Sequence, residues 1–125
     1  MMIDKLIEPD SLRAKGNGAA VGLRLPWYRA LPLSTVEVDS VKIDGTAIDP
    51  NRLTILLEGK RWPVSEMRGV TNHNWFVTDT ADLLIDNLPL ERGSNHEVEV
   101  MVSLYPPYIK GLRRAFRWTR SMEVK

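Results

Sequence analysis

Two histidines, sixteen carboxylates and no cysteine bound the chemistry open to this 125-residue chain. His73 stands in the polar run 71–74 ahead of Trp75, and His96 opens an alternating stretch beside a turn. No carboxylate lies at helical metal-ligand spacing from either ring, so both read first as loop or strand-end side chains. His73, with polar neighbours entering an aromatic segment, is the one to test against a substrate. Asp79 and Asp82 are neighbours, as are Glu97 and Glu99. Acid–base work needs two carboxylates placed across a substrate in unlike environments, which this spacing does not show. Gly-rich phosphate loops, serine elbows and kinase signatures are missing from the sequence. The residues thus supply no self-sufficient catalytic set.

The less usual chemistry is aromatic. In 24–33, Pro26 and Pro32 bracket Trp27, Tyr28 and Arg29 between Leu25 and Leu31. Proline removes ladder donors, so a strand ending near Leu25 should give way to a stiff extended excursion. That excursion pushes the two rings outward or onto a sheet edge. Trp, Tyr and Arg are the residue types that carry most energy at protein interfaces. The competing reading is that both rings cap the end of the core. A second excursion, Tyr105, Pro106, Pro107 and Tyr108, repeats the same chemistry. Behind it, Lys110, Arg113, Arg114, Arg117 and Arg120 interleave with Phe116 and Trp118. This reads as a solvated strand face beside a buried one. A strip gripping RNA is the alternative, without any other RNA-binding signature in the chain.

The elements that must hold these loops follow a period of two. Val98, Val100, Val102 and Leu104 alternate with Glu97, Glu99, Met101 and Ser103, which predicts a strand with one wet face over 96–105. Asp44-Gly45 inside 36–48 and Glu58-Gly59 between 53–57 and 60–62 predict hairpins. Further strands are expected at 19–25, 75–77, 81–85 and 112–124, and no amphipathic helix of three turns is expected. Eight or nine short strands without helical crossovers imply an all-β chain: an antiparallel β-sandwich, forming one domain over 1–125. A small barrel is the second choice.

Composition agrees. With 43% apolar and 26% charged residues the chain is an ordinary globular sequence, and a formal charge of +1 is too small for a coat on nucleic acid or anionic membrane. The lack of cysteine removes disulfides and thiolate metal sites and fits a reducing compartment. Acidic residues break the first short apolar run, and no run approaches the ~20 apolar residues of a membrane span. A cytoplasmic location is expected.

The segment 24–34, followed by the Val41–Gly45 hairpin, Trp62-Pro63-Val64, Trp75-Phe76-Val77 and Tyr105-Pro106-Pro107-Tyr108, resembles the small β subunit of bacterial C-glycoside deglycosidases. The resemblance implies a non-catalytic β-sandwich subunit bound to a larger TIM-barrel α subunit, in a cytoplasmic assembly that can exceed one αβ pair. The α subunit of this family resembles sugar isomerases and epimerases and holds a divalent metal, expected to be manganese. This chain would then carry no cofactor and no metal ligand. The α subunit would cleave the C–C bond of 3-oxo-C-glycosides, such as oxidised flavonoid C-glycosides, by elimination. The expected partner interface is Leu25, Pro26, Trp27, Tyr28, Arg29, Leu31, Pro32, Tyr105, Pro106, Pro107 and Tyr108. Arg29 and His73 are the residues expected nearest to substrate. The alternative is a stand-alone carbohydrate-binding β-sandwich module, since exposed rings also stack on sugars.

Overall fold

Asp44 and Gly45 take φ of 53° and 82°, and Glu58 and Gly59 take 53° and 81°. Two successive positive values close a two-residue hairpin with the twist of its strands, which is why the second position of each pair is glycine. The computed structural model describes residues 6–125. The described residues form eleven strands: β1 (Arg13–Lys15), β2 (Gly18–Arg24), β3 (Leu31–Pro32), β4 (Val36–Ile43), β5 (Thr46–Ala47), β6 (Leu53–Leu57), β7 (Lys60–Pro63), β8 (Asn74–Trp75), β9 (Thr80–Ile85), β10 (Asn95–Leu104) and β11 (Arg114–Glu123). Among the described residues, helix is confined to short 3-10 turns at Leu33–Thr35, Pro50–Arg52 and Val64–Gly69.

Every strand pairing among the described residues is antiparallel. One sheet runs β1-β2-β9-β6-β7, a second runs β11-β10-β4-β5, and β3 and β8 form a two-stranded ladder beside them. The all-β, antiparallel architecture agrees with the sequence expectation. The two strands that periodicity missed are β1 and β3, one three residues long and the other two residues containing a proline. Alternation cannot be recognised over so few positions.

The inner faces meet in one core. Leu23, Ile55, Leu83 and Ile85 come from the first sheet, and Val41, Val98, Val100, Val102 and Leu104 from the second, all buried in a single cluster. Strand β2 is buried along nearly its whole length, and the N-terminal segment pairs with its edge through an antiparallel Ile7↔Leu23 bridge: Glu8 N–H donates to Gly22 O at 2.9 Å and Arg24 N–H to Leu6 O at 2.8 Å. Gly18 is required by close approach, since a Cβ there would stand 2.1 Å from Ile85 O.

Strand β10 pairs with β4 in register from Leu104↔Val36 to Val98↔Ile43, except that Met101 faces Ser40 while Val102 faces Val38. Asp39 is the extra residue of a β-bulge, which re-aims its side chain. Its carboxylate accepts a 2.5 Å hydrogen bond from the hydroxyl of Ser103, a residue with no exposure. Burial first, and neighbouring Glu37 further, hold Asp39 above the usual carboxylate range against the opposing pull of Ser103 and Arg113. No helix is long and apolar enough to cross a membrane among the described residues.

Candidate functional site

The β4/β10 ladder sets the position of the site. At one end, Tyr105 N–H donates to Thr35 O at 2.8 Å and the chain enters the Pro106-Pro107 excursion. At the same end, the 25–33 excursion returns through β3, whose Leu31 pairs with Trp75 of β8. The two proline-framed loops therefore leave the sandwich side by side. Trp27 Nε1–H donates to Tyr108 OH at 2.5 Å, and the Tyr108 and Tyr28 hydroxyls lie 3.4 Å apart. The Trp27 and Tyr28 rings stand 5.1 Å apart at 39°, and the Arg29 guanidinium lies 4.7 Å above the Tyr108 ring. A cation over a phenol face adds electrostatic attraction to the packing.

The two neighbouring rings of the first loop differ in role. Trp27 is 8% exposed and belongs to the core, whereas Tyr28 is 66% exposed. Successive residues of an extended segment point to opposite sides, so one ring turns inward when the other turns out. Leu25, Pro26, Leu31 and Pro106 are also buried, and Pro32 and Tyr105 are half-buried. The outward surface is formed by Tyr28, Arg29, Pro107 and Tyr108, continued by Ile109. Of the residues expected at a partner interface, the first set therefore shapes the platform and the second set presents it.

Electrostatics bind the platform internally. The Tyr28 hydroxyl is raised above the ordinary phenol value by its hydrogen bond with Tyr108 and by partial desolvation. For Tyr108, desolvation pushes upward, but hydrogen bonds with Tyr28 and Trp27 and the Arg29 charge outweigh it, and the hydroxyl is lowered. Below the loops, Tyr105 OH donates to Glu37 Oε1 at 2.9 Å and accepts from Arg113 Nε at 3.2 Å. The second loop is thereby fastened to β4 and to the approach of β11.

Arg29 and His73 are not brought together. They sit at opposite ends of the β3/β8 ladder, where Leu33 N–H donates to His73 O at 3.0 Å. The His73 ring packs at 5.0 Å against Trp62, and its Nε2 lies 3.1 Å from Glu58 Oε1 without hydrogen-bond alignment. His96 has a different neighbourhood, at the far end of the β4/β10 ladder. Its Nδ1 is 2.7 Å from Asp44 Oδ2 and its Nε2 is 2.9 Å from Ser94 Oγ.

That connectivity has the order of a hydrolytic triad, but the Ser94 hydroxyl donates to Glu91 O at 2.5 Å, and Ser94 N–H is spent on the same carbonyl at 3.0 Å. Gly93 N–H is spent on Val124 O. These backbone donors are therefore not available to an oxyanion. The cluster is a clasp, in which Asp44 Oδ1 also accepts from Glu97 N–H at 2.8 Å. The bond with His96 first, and that backbone donor second, hold Asp44 below the usual carboxylate range. Among the described residues no three His, Asp or Glu side chains converge as a metal-ligand set.

Sequence comparison joins this platform to a family. The profile of the C-glycoside deglycosidase beta subunit matches residues 2–108, which include both loops. The chain belongs to the C-glycoside deglycosidase beta subunit family. A relative from Microbacterium sp, the 3'-dehydrocarminate deglycosidase beta subunit, is 43% identical over 129 residues, covering 100% of this chain and 97% of that protein. The C-glycoside deglycosidase beta subunit of Microbacterium trichothecenolyticum is 40% identical over 109 residues, covering 87% of this chain and 82% of its own length. A namesake from Arthrobacter globiformis is 34% identical over 110 residues, with 87% and 83% covered. Membership of a β subunit family implies assembly with another subunit.

The residues that sequence reasoning missed are Glu8 and Arg24, beside the first loop, and Asp44 and Ser94, around His96. Asp44 and His96 lie 52 positions apart, and only the strand register joins them. The signal for Arg24 was present as the cation flanking Leu25.

Proposed function

We propose that this chain is the non-catalytic β subunit of a C-glycoside deglycosidase, and that its Tyr28–Tyr108 platform docks on a larger α subunit near the mouth of the active site. Family membership supports the first half. The second half is carried by one observation: two separate proline-stiffened loops are bonded to each other, yet leave Tyr28 at 66% and Tyr108 at 44% exposure. Large rings held with few free rotors lose little entropy on being covered, which is what an interface anchor requires. A pre-bonded platform can also order loops of the partner that meet it.

The α subunit in this reading is a TIM barrel with a divalent metal, manganese, that supplies Lewis-acid chemistry beside a ketone. It would remove a proton next to the carbonyl of a 3-oxo-C-glycoside; the freed pair forms a C=C bond to the anomeric carbon as the C–C bond to the aglycone breaks, and the released aglycone carbon takes up a proton. The name of the Microbacterium relative, which specifies a 3'-dehydro substrate, is in keeping with an oxidised sugar. The complex works in the cytoplasm and can contain more than one αβ pair. Arg29, exposed beside Tyr108, is the side chain of this subunit nearest to substrate, while His73 braces the β6/β7 hairpin. A stand-alone carbohydrate-binding module would also expose rings, but it gives no reason for relatives that are subunits.

Co-expression with the α subunit tests this reading. Tyr28→Ala with Arg29→Ala, both at exposed positions, is expected to abolish co-purification while the isolated chain keeps its circular dichroism and unfolding midpoint. Full recovery of an active complex from that variant would remove the platform from the interface.

A further inference from the structure

A concavity shares Trp27 and Tyr28 with the platform but opens toward the N-terminal segment and the 77–78 turn, whose residues the reading above does not use. It encloses about 410 Å³, within the roughly 300–1,000 Å³ range of small-molecule sites. Three of its walls are apolar: Pro9, Leu25 and Val77. Trp27 closes the back and Tyr28 forms the outer lip, the two rings making a notch with 39° between their planes.

Polar groups are gathered at one corner. Arg24 is held there by Nη2–H donating to Val77 O at 3.0 Å, with Nη1 3.4 Å from Glu8 Oε2. Thr80 Oγ1–H donates to the same Glu8 oxygen at 3.3 Å. The Glu8 side chain is about a third exposed and Thr78 is exposed, so both can be reached from the cavity. The corner therefore offers a fixed cation, a carboxylate acceptor and a hydroxyl within an otherwise apolar, aromatic-backed space.

We propose that this cavity binds a phenolic ring. The ring fills the notch against Trp27 and the aliphatic walls, its hydroxyl donates to Glu8 Oε1, and its oxygen accepts from Arg24. A hexose suits the space poorly. Its several hydroxyls would face Pro9, Leu25 and Val77 without partners, and unpaired polar groups against apolar walls are costly. A phenol has a single polar vertex and needs one polar corner. The inference goes beyond the subunit reading and does not depend on it, because it concerns this chain without a partner.

The test is amide-detected NMR titration of the full chain with β-naphthol, p-cresol and methyl β-glucopyranoside. The two phenols are expected to shift the amides of residues 8, 24–28, 77 and 78, and the glucoside to leave them in place. β-Naphthol, which fills more of the apolar notch, is expected to bind more tightly than p-cresol, as a free fused-ring phenol would; tighter binding of p-cresol would overturn that occupant. Thr78→Trp, at an exposed position, fills the cavity and is expected to weaken binding at least about tenfold. If that variant misfolds, Glu8→Gln decides: it should weaken β-naphthol but leave its methyl ether, which has no proton to donate, unchanged. Silence from both phenols, a preference for the glucoside, or native-like Thr78→Trp binding as well as the parent would overturn the assignment.

Discussion

The two ends of the β4/β10 ladder are each closed by a side-chain bond between distant segments, and they spend their side chains differently. At the turn end, Asp44, Ser94 and His96 satisfy one another and nearby backbone. At the loop end, Trp27 and Tyr108 make one bond, and the bond then holds two phenol rings and Arg29 out in water. Small polar side chains suffice to clasp a turn. Exposed large aromatics stiffened by prolines exceed what a clasp needs, and that surplus separates a functional end from a structural one.

The comparison can be broken most severely at Trp27. Trp27→Ala should cost about 3–5 kcal/mol of stability, because it opens the core and removes the donor to Tyr108. Chemical denaturation of the isolated chain measures this, and a loss under about 1 kcal/mol would contradict the burial argument. Tyr28→Ala separates function from folding: association with the α subunit should weaken at least about thirtyfold, the size of an interface hot spot, with the unfolding midpoint unchanged.

At the other end, His96→Ala should lower the midpoint modestly and leave association untouched. Its effect is also pH-dependent. Because Asp44 is depressed in the fold, the clasp contributes fully above the ordinary carboxylate value and loses its contribution as pH falls through the lower folded value. The difference between parent and His96→Ala should shrink in that acidic window, and a difference constant with pH would argue against the bond as its cause.

The smallest effect is expected at the bulge between the two ends. Asp39 is raised, so its charged form opposes folding above that raised value, and the penalty fades on acidification. Asp39→Asn, which keeps an acceptor for Ser103, should therefore raise the midpoint slightly at neutral pH. The gain should disappear as pH falls through the ordinary carboxylate range.

Much of this architecture was legible from alternation and turn chemistry. Val98 to Leu104 reads at period two, and Asp44-Gly45 and Glu58-Gly59 announce the positive φ that the turns adopt. The prolines marked both loops as stiff. What they could not give was that the loops touch, since Trp27 and Tyr108 are 81 positions apart and meet through the sandwich. The inward turn of Trp27 follows from the alternation of neighbours in an extended chain, which holds in a proline-framed excursion as it does in a strand. The corner of Glu8 and Arg24 was hidden for another reason: it depends on the N-terminal segment pairing with the edge of β2 through backbone bonds that carry no side-chain signature.

The central claim is that the α subunit covers the aromatic end of this sandwich and leaves the clasped end free. Hydrogen–deuterium exchange of the chain, alone and with its α subunit, measures this directly. The account predicts slowed exchange across residues 25–33 and 105–112 on complex formation, with residues 44–46 and 94–97 unchanged. Protection confined to the Asp44–His96 end, with Tyr28 and Tyr108 exchanging as in the free chain, would contradict it.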